Sequence, residues 1–193
     1  MSDHMKIDNP YINRLIKALE GTEFKSGNVP AADYTKGIEL LVNEFYVHKT
    51  DNSSVYFIGN GGSAAIAGHM SADFLKNGGL SVVSMYSIPT ITCLGNDFCY
   101  DDIFSKQLEM NADKGELLVS ISSSGDSESI YRAVTAAKEK GMNVITLTGF
   151  RPDNRTRDLG DVSVYVPSNE YGIVESIHNL ILQQVVDEIA ARK

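Results

Sequence analysis

An imidazole and a carboxylate four residues apart, His69 and Asp73, follow a glycine-rich turn in the stretch SSVYFIGNGGSAAIAGHMSADFLK, residues 53–76. At helical spacing the two share one face, where they either exchange protons with a bound molecule or form a solvated pair. The turn itself, GNGGSA (Gly59 to Ala64), lies between an apolar run and that helix. A second turn of the same kind, ISSSGDSES, places Ser122, Ser123, Ser124, Gly125, Asp126, Ser127 and Ser129 between another apolar run and another helix. Hydroxyls, exposed backbone N–H groups and the positive end of a helix dipole make a phosphate cradle that needs no Lys or Arg. Ordinary Ser and Asp helix caps would use the same residues. Two such turns in one chain shift the balance toward a ligand.

Both turns resemble better-known phosphate loops only in part. GNGGSA satisfies the dinucleotide pattern G-x-G-x-x-A, but that site also requires an acidic residue about 20 positions on, at the end of the next strand. The corresponding region, GGLSVVSMYSIP, contains no Asp or Glu, so a dinucleotide is disfavoured. The serine-rich turn lacks the G-K-[ST] ending of a Walker A loop.

The elements that must position these turns are legible from periodicity. Helical spacing of apolar residues predicts two N-terminal helices, over Tyr11–Leu19 and Ala31–His48, with KSGNVP as the break between them. From Val55 onward short β-branched or aromatic runs alternate with helix-length segments: VYFI, SVVSMY, TITCL, ELLVSI, NVITLT and DVSVYV. Helices are predicted at Ser63–Lys76, Asp97–Asn111, Ser127–Lys140 and Gly172–Ala191. Near-continuous apolar strands separated by helices indicate a parallel sheet covered on both faces, hence an α/β three-layer sandwich. In such a sheet ligands collect at the carboxyl ends of the strands, where both turns should lie. No stretch reads as a linker, so residues 1–193 are expected to form one domain, with 1–50 as an N-terminal helical arm.

Composition narrows the partners. At 193 residues the chain can bury about two-thirds of its unfolded surface without disulfide or structural metal. A net charge of −8 and a pI near 4.9 argue against nucleic acid, whereas a single small anion can still bind to local N–H groups. Cys93 and Cys99, the only cysteines, fit a reduced compartment and a cytoplasmic location. No apolar run has the length of a signal-peptide core or a bilayer span, so no membrane is expected as a partner.

Taken together, GNGGSA with His69 on the following helix, LGNDFCYDDIFSKQL, SISSSGDSESI, AAKEKGMNVITLTG and YGIVESIH resemble the sugar isomerase (SIS) domain family, and specifically its phosphoheptose isomerase branch. The resemblance covers nearly the whole chain. It implies a flavodoxin-like SIS fold, a sugar phosphate ligand and a cytoplasmic homotetramer with sites shared between subunits. The two N-terminal helices would then bury their apolar faces against a neighbour. The resemblance further implies that Ser122, Ser123, Ser124 and Ser127 hold the substrate phosphate. Asn60, with the loop Gly61, Gly62 and Ser63, would contact the sugar, and Asp97 would lie beside it unless it caps a helix.

Converting a ketose phosphate to an aldose phosphate requires a base at the carbon beside the carbonyl, and an acid or metal at the enediolate oxygen. In the family the position of His69 is a zinc ligand, and that of Asp73 is a Glu serving as ligand and base. The last helix supplies a Gln and, eight residues later, a His acting as acid and ligand. Here those positions are Glu175 and Gln183, with His178 between them on E-x-x-H spacing. The resemblance thus assigns catalysis to Asp73, His69 and Gln183, and a zinc site to His69, Asp73, Glu175 and Gln183, with Glu175 also near the substrate. The set departs from the family pattern at Asp73, Glu175 and Gln183. His178 either points inward with Glu175 or packs at a subunit interface. The favoured expectation is an isomerase converting sedoheptulose 7-phosphate to D-glycero-D-manno-heptose 7-phosphate through an enediol. The alternative is a non-catalytic SIS module that binds a phosphosugar or a protein, as in the replication-initiator-associating branch.

Overall fold

The computed structural model describes residues 8–192. Helix α1 (Pro10–Glu20) begins where Asn9 accepts the backbone N–H groups of Tyr11 and Ile12, with a proline in the first turn. A short hairpin follows, β1 (Glu23–Ser26) and β2 (Val29–Pro30). Helix α2 (Tyr34–Asp51) is capped by Asp33 and stopped at Asn52, which takes the left-handed conformation. Then come β3 (Ser54–Ile58), α3 (Gly62–Asp73) continued by a π-helical turn at Phe74–Gly78, and β4 (Ser81–Val83). Helices α4 (Ile88–Asp97) and α5 (Ser105–Asn111) flank a 3₁₀ turn at Tyr100–Asp102. The chain closes with β5 (Leu117–Ser122), α6 (Glu128–Lys140), β6 (Asn143–Thr148), β7 (Val162–Tyr165) and α7 (Tyr171–Ala191).

The seven strands form one sheet in the order β2-β1-β7-β6-β5-β3-β4. From β4 to β7 neighbouring strands run parallel, and the hairpin closes the β7 edge with antiparallel pairs. Alternation along the strands divides the core in two. Val55, Phe57, Val119, Ile121, Ile145 and Leu147 face α2, α3 and α7, while Tyr56, Ile58, Leu118 and Val144 face α5 and α6. Burial on both faces explains why these strands read as unbroken apolar runs. Phe45 of α2 stacks near Phe57 and Phe74, so α2 belongs to the sandwich and turns Ile38, Leu41, Val42 and Phe45 to its own subunit's core rather than toward a neighbour.

Three local expectations change. TITCL lies within α4, not in a strand: Pro89 stands in the first turn, where its missing N–H costs nothing, and the Thr92 hydroxyl bonds back to the Ile88 and Pro89 carbonyls. The helix expected over Asp97–Asn111 is broken, because Asp97 ends α4 and α5 starts only at Ser105. KSGNVP is not a plain break but the hairpin turn, with Gly27 at φ +55°. Among the described residues no helix is long and apolar enough to cross a membrane.

Candidate functional site

The turns after β3 and β5 do meet at the carboxyl edge of the sheet. After β3 the chain passes Gly59–Gly61 and starts α3 at Gly62. A β-carbon on Gly62 would run into the Glu175 carboxylate, so glycine there lets the first turn of α3 close against α7. After β5, the Ser122 hydroxyl accepts the Gly125 N–H at 3.1 Å and the Ser124 hydroxyl accepts the Asp126 N–H at 3.2 Å. Gly125 stands at φ +66°, and a β-carbon on it would overlap the Asn154 side chain, which is itself anchored on the Gly149 and Arg151 carbonyls. Asp126 accepts the Arg155 N–H at 3.0 Å and completes the turn.

Between the two turns lies a cavity of about 350 Å³ lined by Asn60, Gly61, Gly62, Ser63, Ile121, Ser122, Ser123, Ser124, Ser127, Tyr171 and Glu175. Among the described residues no Lys or Arg lines it. Ser127 and Ser123 offer hydroxyls to a ligand. Ser127 stands at the cap position of α6 without capping it, and Ser123, 4% exposed, has no hydrogen-bond partner for its Oγ. An unpaired buried hydroxyl costs free energy until something accepts from it or donates to it, and here it lies at a helix start that favours an anion. The nearby guanidiniums face elsewhere: Arg132 pairs with Asp102 and Glu128, and Arg155 with Glu128.

Asn60 joins the turns. Its Nδ2 donates to the Ser127 and Ser129 hydroxyls, each at 2.9 Å, and its Oδ1 accepts the Tyr100 hydroxyl at 2.8 Å. The Tyr86 hydroxyl donates to the Gly59 carbonyl at 3.0 Å, fixing the first turn from the β4 side. Tyr171, Tyr100 and Ser129 are functional neighbours that motif reasoning did not assign. Ser129 stood in the serine run, whereas nothing in residue order connects Tyr100 to position 60.

The expected residues therefore divide. Asn60, Gly61, Gly62, Ser63, Ser122, Ser123, Ser124, Ser127 and Glu175 come together around one cavity. His69 and Asp73 stand apart on α3, paired through Nε2 and Oδ2 at 3.6 Å, with the imidazole largely exposed and Asn77 donating to the other carboxylate oxygen. Asp97 is exposed at the end of α4, where hydrogen bonds from Asn96 and then Cys93 hold its carboxyl below the usual range. Gln183 donates to Asp187 at 3.4 Å, beside a shallow surface cavity along α7.

The zinc set implied by the resemblance is thus dispersed. Among the described residues no group of three or more His, Cys, Asp or Glu side chains is placed to hold an ion. Glu175 turns to Gly62 and Gln183 to Asp187. As the side chains stand within one chain they do not fit a metal, and no step is routed through one. His178 is neither at the surface nor in the cavity. It is fully buried in its own subunit's core, its Nε2 3.1 Å from the Thr148 carbonyl, and desolvation pushes its pKa down to about 4.

Comparison with known proteins agrees with this architecture. The SIS domain family model matches residues 31–149. A phosphoheptose isomerase from Shewanella loihica is 37% identical over 139 residues, covering 68% of this chain and 71% of that protein. One from another Shewanella species is 35% identical over 177 residues, covering 87% and 90%. Among solved structures, a phosphoheptose isomerase from Francisella tularensis superposes with a TM-score of 0.80 at 26% identity, and one from Neisseria gonorrhoeae with 0.78 at 26%; each match covers 94% of this chain and 95% of the other. With its parallel sheet, its two Gly/Ser turns around one cavity and relatives of this closeness, the chain belongs to the SIS domain family, in the phosphoheptose isomerase branch.

Proposed function

We propose that the protein is a ketose–aldose isomerase that converts sedoheptulose 7-phosphate to D-glycero-D-manno-heptose 7-phosphate through an enediol. The observation that carries this reading is the cavity at the carboxyl ends of β3 and β5, walled by hydroxyls and helix starts and, among the described residues, free of Lys and Arg. The phosphate lies against Ser122, Ser123, Ser124 and Ser127, and the N–H groups at the start of α6 complete its donors. The sugar runs toward Gly61–Ser63 and Glu175, where the start of α3 offers a positive dipole end to an enediolate oxygen.

Asp73 is the proposed base and His69 its neighbour. Asp73 lies eleven residues beyond Gly62 on α3, roughly 16 Å along the helix axis. Its side chain is outside the cavity wall, so the reading requires a cytoplasmic homotetramer in which a neighbouring subunit brings base and cavity together. Gln183 is the corresponding neutral donor on α7.

The decisive experiment is incubation of the protein with sedoheptulose 7-phosphate in heavy water, with and without added zinc, followed by product analysis. Aldoheptose 7-phosphate, with or without solvent deuterium at the carbon beside the carbonyl, is the expected outcome. Asp73→Asn should lower turnover by about 10² to 10⁴-fold with phosphosugar affinity nearly unchanged. The placement of His69 and Asp73 outside the cavity favours a second reading, a phosphosugar-binding module without catalysis. That reading takes over if the wild-type protein binds phosphosugar but neither isomerises C5 to C7 ketose phosphates nor exchanges the proton.

A further inference from the structure

Tyr100 lies on the segment between α4 and α5, far in sequence from either ligand turn, and is 58% exposed. Its hydroxyl nevertheless reaches the Asn60 side chain at 2.8 Å. The amide is thereby fully oriented, with its oxygen taken by Tyr100 and its NH₂ directed at Ser127 and Ser129.

This orientation makes the Ser127 Oγ an acceptor toward Asn60 and so frees its proton for another partner. The Ser127 Oγ accepts from Asn60 at 2.9 Å and lies 3.3 Å from the Ser129 Oγ, whose own proton can fill the second lone pair. A hydroxyl that accepts twice has only its O–H left to offer, and Ser127 offers it to the cavity. A reversed amide would invert the set. Asn60 would then draw both serine protons to its oxygen, and Ser127 would turn a lone pair toward the bound anion. Phosphate needs donors, so only the first arrangement suits it. A tyrosine hydroxyl is a better donor than acceptor, which favours an amide that presents its oxygen to Tyr100.

We propose that Tyr100 is a positioning residue for the substrate phosphate: through Asn60 it holds Ser127 as a hydrogen-bond donor to the cavity. The inference rests on the reading that the serine turn takes the phosphate. It also changes the expected role of Asn60, whose amide is committed to the two turns rather than to the sugar. The segment bearing Tyr100 is fastened a second time, by Asp102 to Arg132 of α6 at 2.9 Å, so it stays in register with the helix that starts at the cradle.

The test is a double-mutant cycle read by titration of the full-length protein with inorganic phosphate in a calorimeter, and by the split between KM and kcat. Tyr100→Phe removes one exposed hydroxyl. It should weaken phosphate binding and raise KM for the sugar phosphate by about fivefold to tenfold, with kcat within about twofold. In an Asn60→Ala or Asn60→Asp background, whichever of the two folds, the same change should have no further effect, because the relay is already cut. Unchanged phosphate affinity in Tyr100→Phe, or an undiminished effect without Asn60, overturns the relay alone. Failure of the wild-type protein to bind phosphate overturns the serine-turn reading and the relay with it. Phosphate binding with the expected cycle in a protein that isomerises nothing overturns the isomerase reading and supports the relay.

Discussion

Ser123 places a hydroxyl in the cavity wall that is 4% exposed and has no partner. In the unliganded chain that burial is a cost, and it is recovered when an anion accepts the proton. The two states therefore respond in opposite directions to its removal. Ser123→Ala should leave the free protein as stable as before or more stable by about 1 kcal/mol. The same change should weaken phosphosugar binding about 5–30-fold. Thermal unfolding with and without phosphate checks both halves, and a variant that loses stability while keeping its affinity would make Ser123 a packing residue only. Ser122 and Ser124 differ from it, since their hydroxyls already shape the turn by accepting the Gly125 and Asp126 N–H groups.

Helix α7 does two jobs with neighbouring residues. Tyr171 and Glu175 line the cavity, whereas His178, one turn on, is sealed in the core against the Thr148 carbonyl. Desolvation lowers the His178 pKa to about 4, partly offset by that carbonyl. The folded state thus binds fewer protons than the unfolded chain, whose histidine titrates near about 6.5. The stability tied to neutral His178 is complete above that pH and is lost as pH falls toward 4, by about 3 kcal/mol in all. His178→Gln keeps an N–H donor but does not titrate. Urea midpoints measured between pH 7 and pH 4.5 should fall less steeply for this variant than for the wild type; parallel curves would place the acid sensitivity elsewhere.

The molecule leaves apolar side chains uncovered on the π-helical turn after α3 and on α7, where Leu180 lines the same shallow cavity as Gln183. Leu75 is 55% and Leu180 42% exposed. On α1, Tyr11 and Ile16 are likewise open, 40% and 46%. Association through such surfaces accords with the proposed homotetramer. Light scattering at micromolar concentration should report a mass near that of a tetramer. Leu180→Asp should lower that mass and depress turnover while leaving inorganic phosphate binding intact, because the serine cavity is built within one chain. A fully active monomer would remove the shared-site part of the proposal.

Residue order by itself determined much of this protein. Apolar runs flanked by helical periods specified the covered parallel sheet, since a strand buried on both faces has no polar alternation to show. The two Gly/Ser turns announced where the cavity of the proposed ligand site forms, because that chemistry is local: hydroxyls, N–H groups and a helix start within a few residues. What remained hidden depended on distance in the chain. The hairpin Glu23–Pro30 becomes sheet only because β7 offers it an edge, 140 residues later at Val162–Tyr165 against Glu23–Ser26 for the first strand. TITCL has strand composition, yet Pro89 in the first turn and the Thr92 hydroxyl bonded back to the Ile88 and Pro89 carbonyls made it α4. His178 and Glu175 share an inward spacing, yet only packing decided that one meets the core and the other the cavity. The Tyr100 hydroxyl on Asn60 is a contact across 40 positions, and a side-chain hydrogen bond of that span leaves no periodic trace in the sequence.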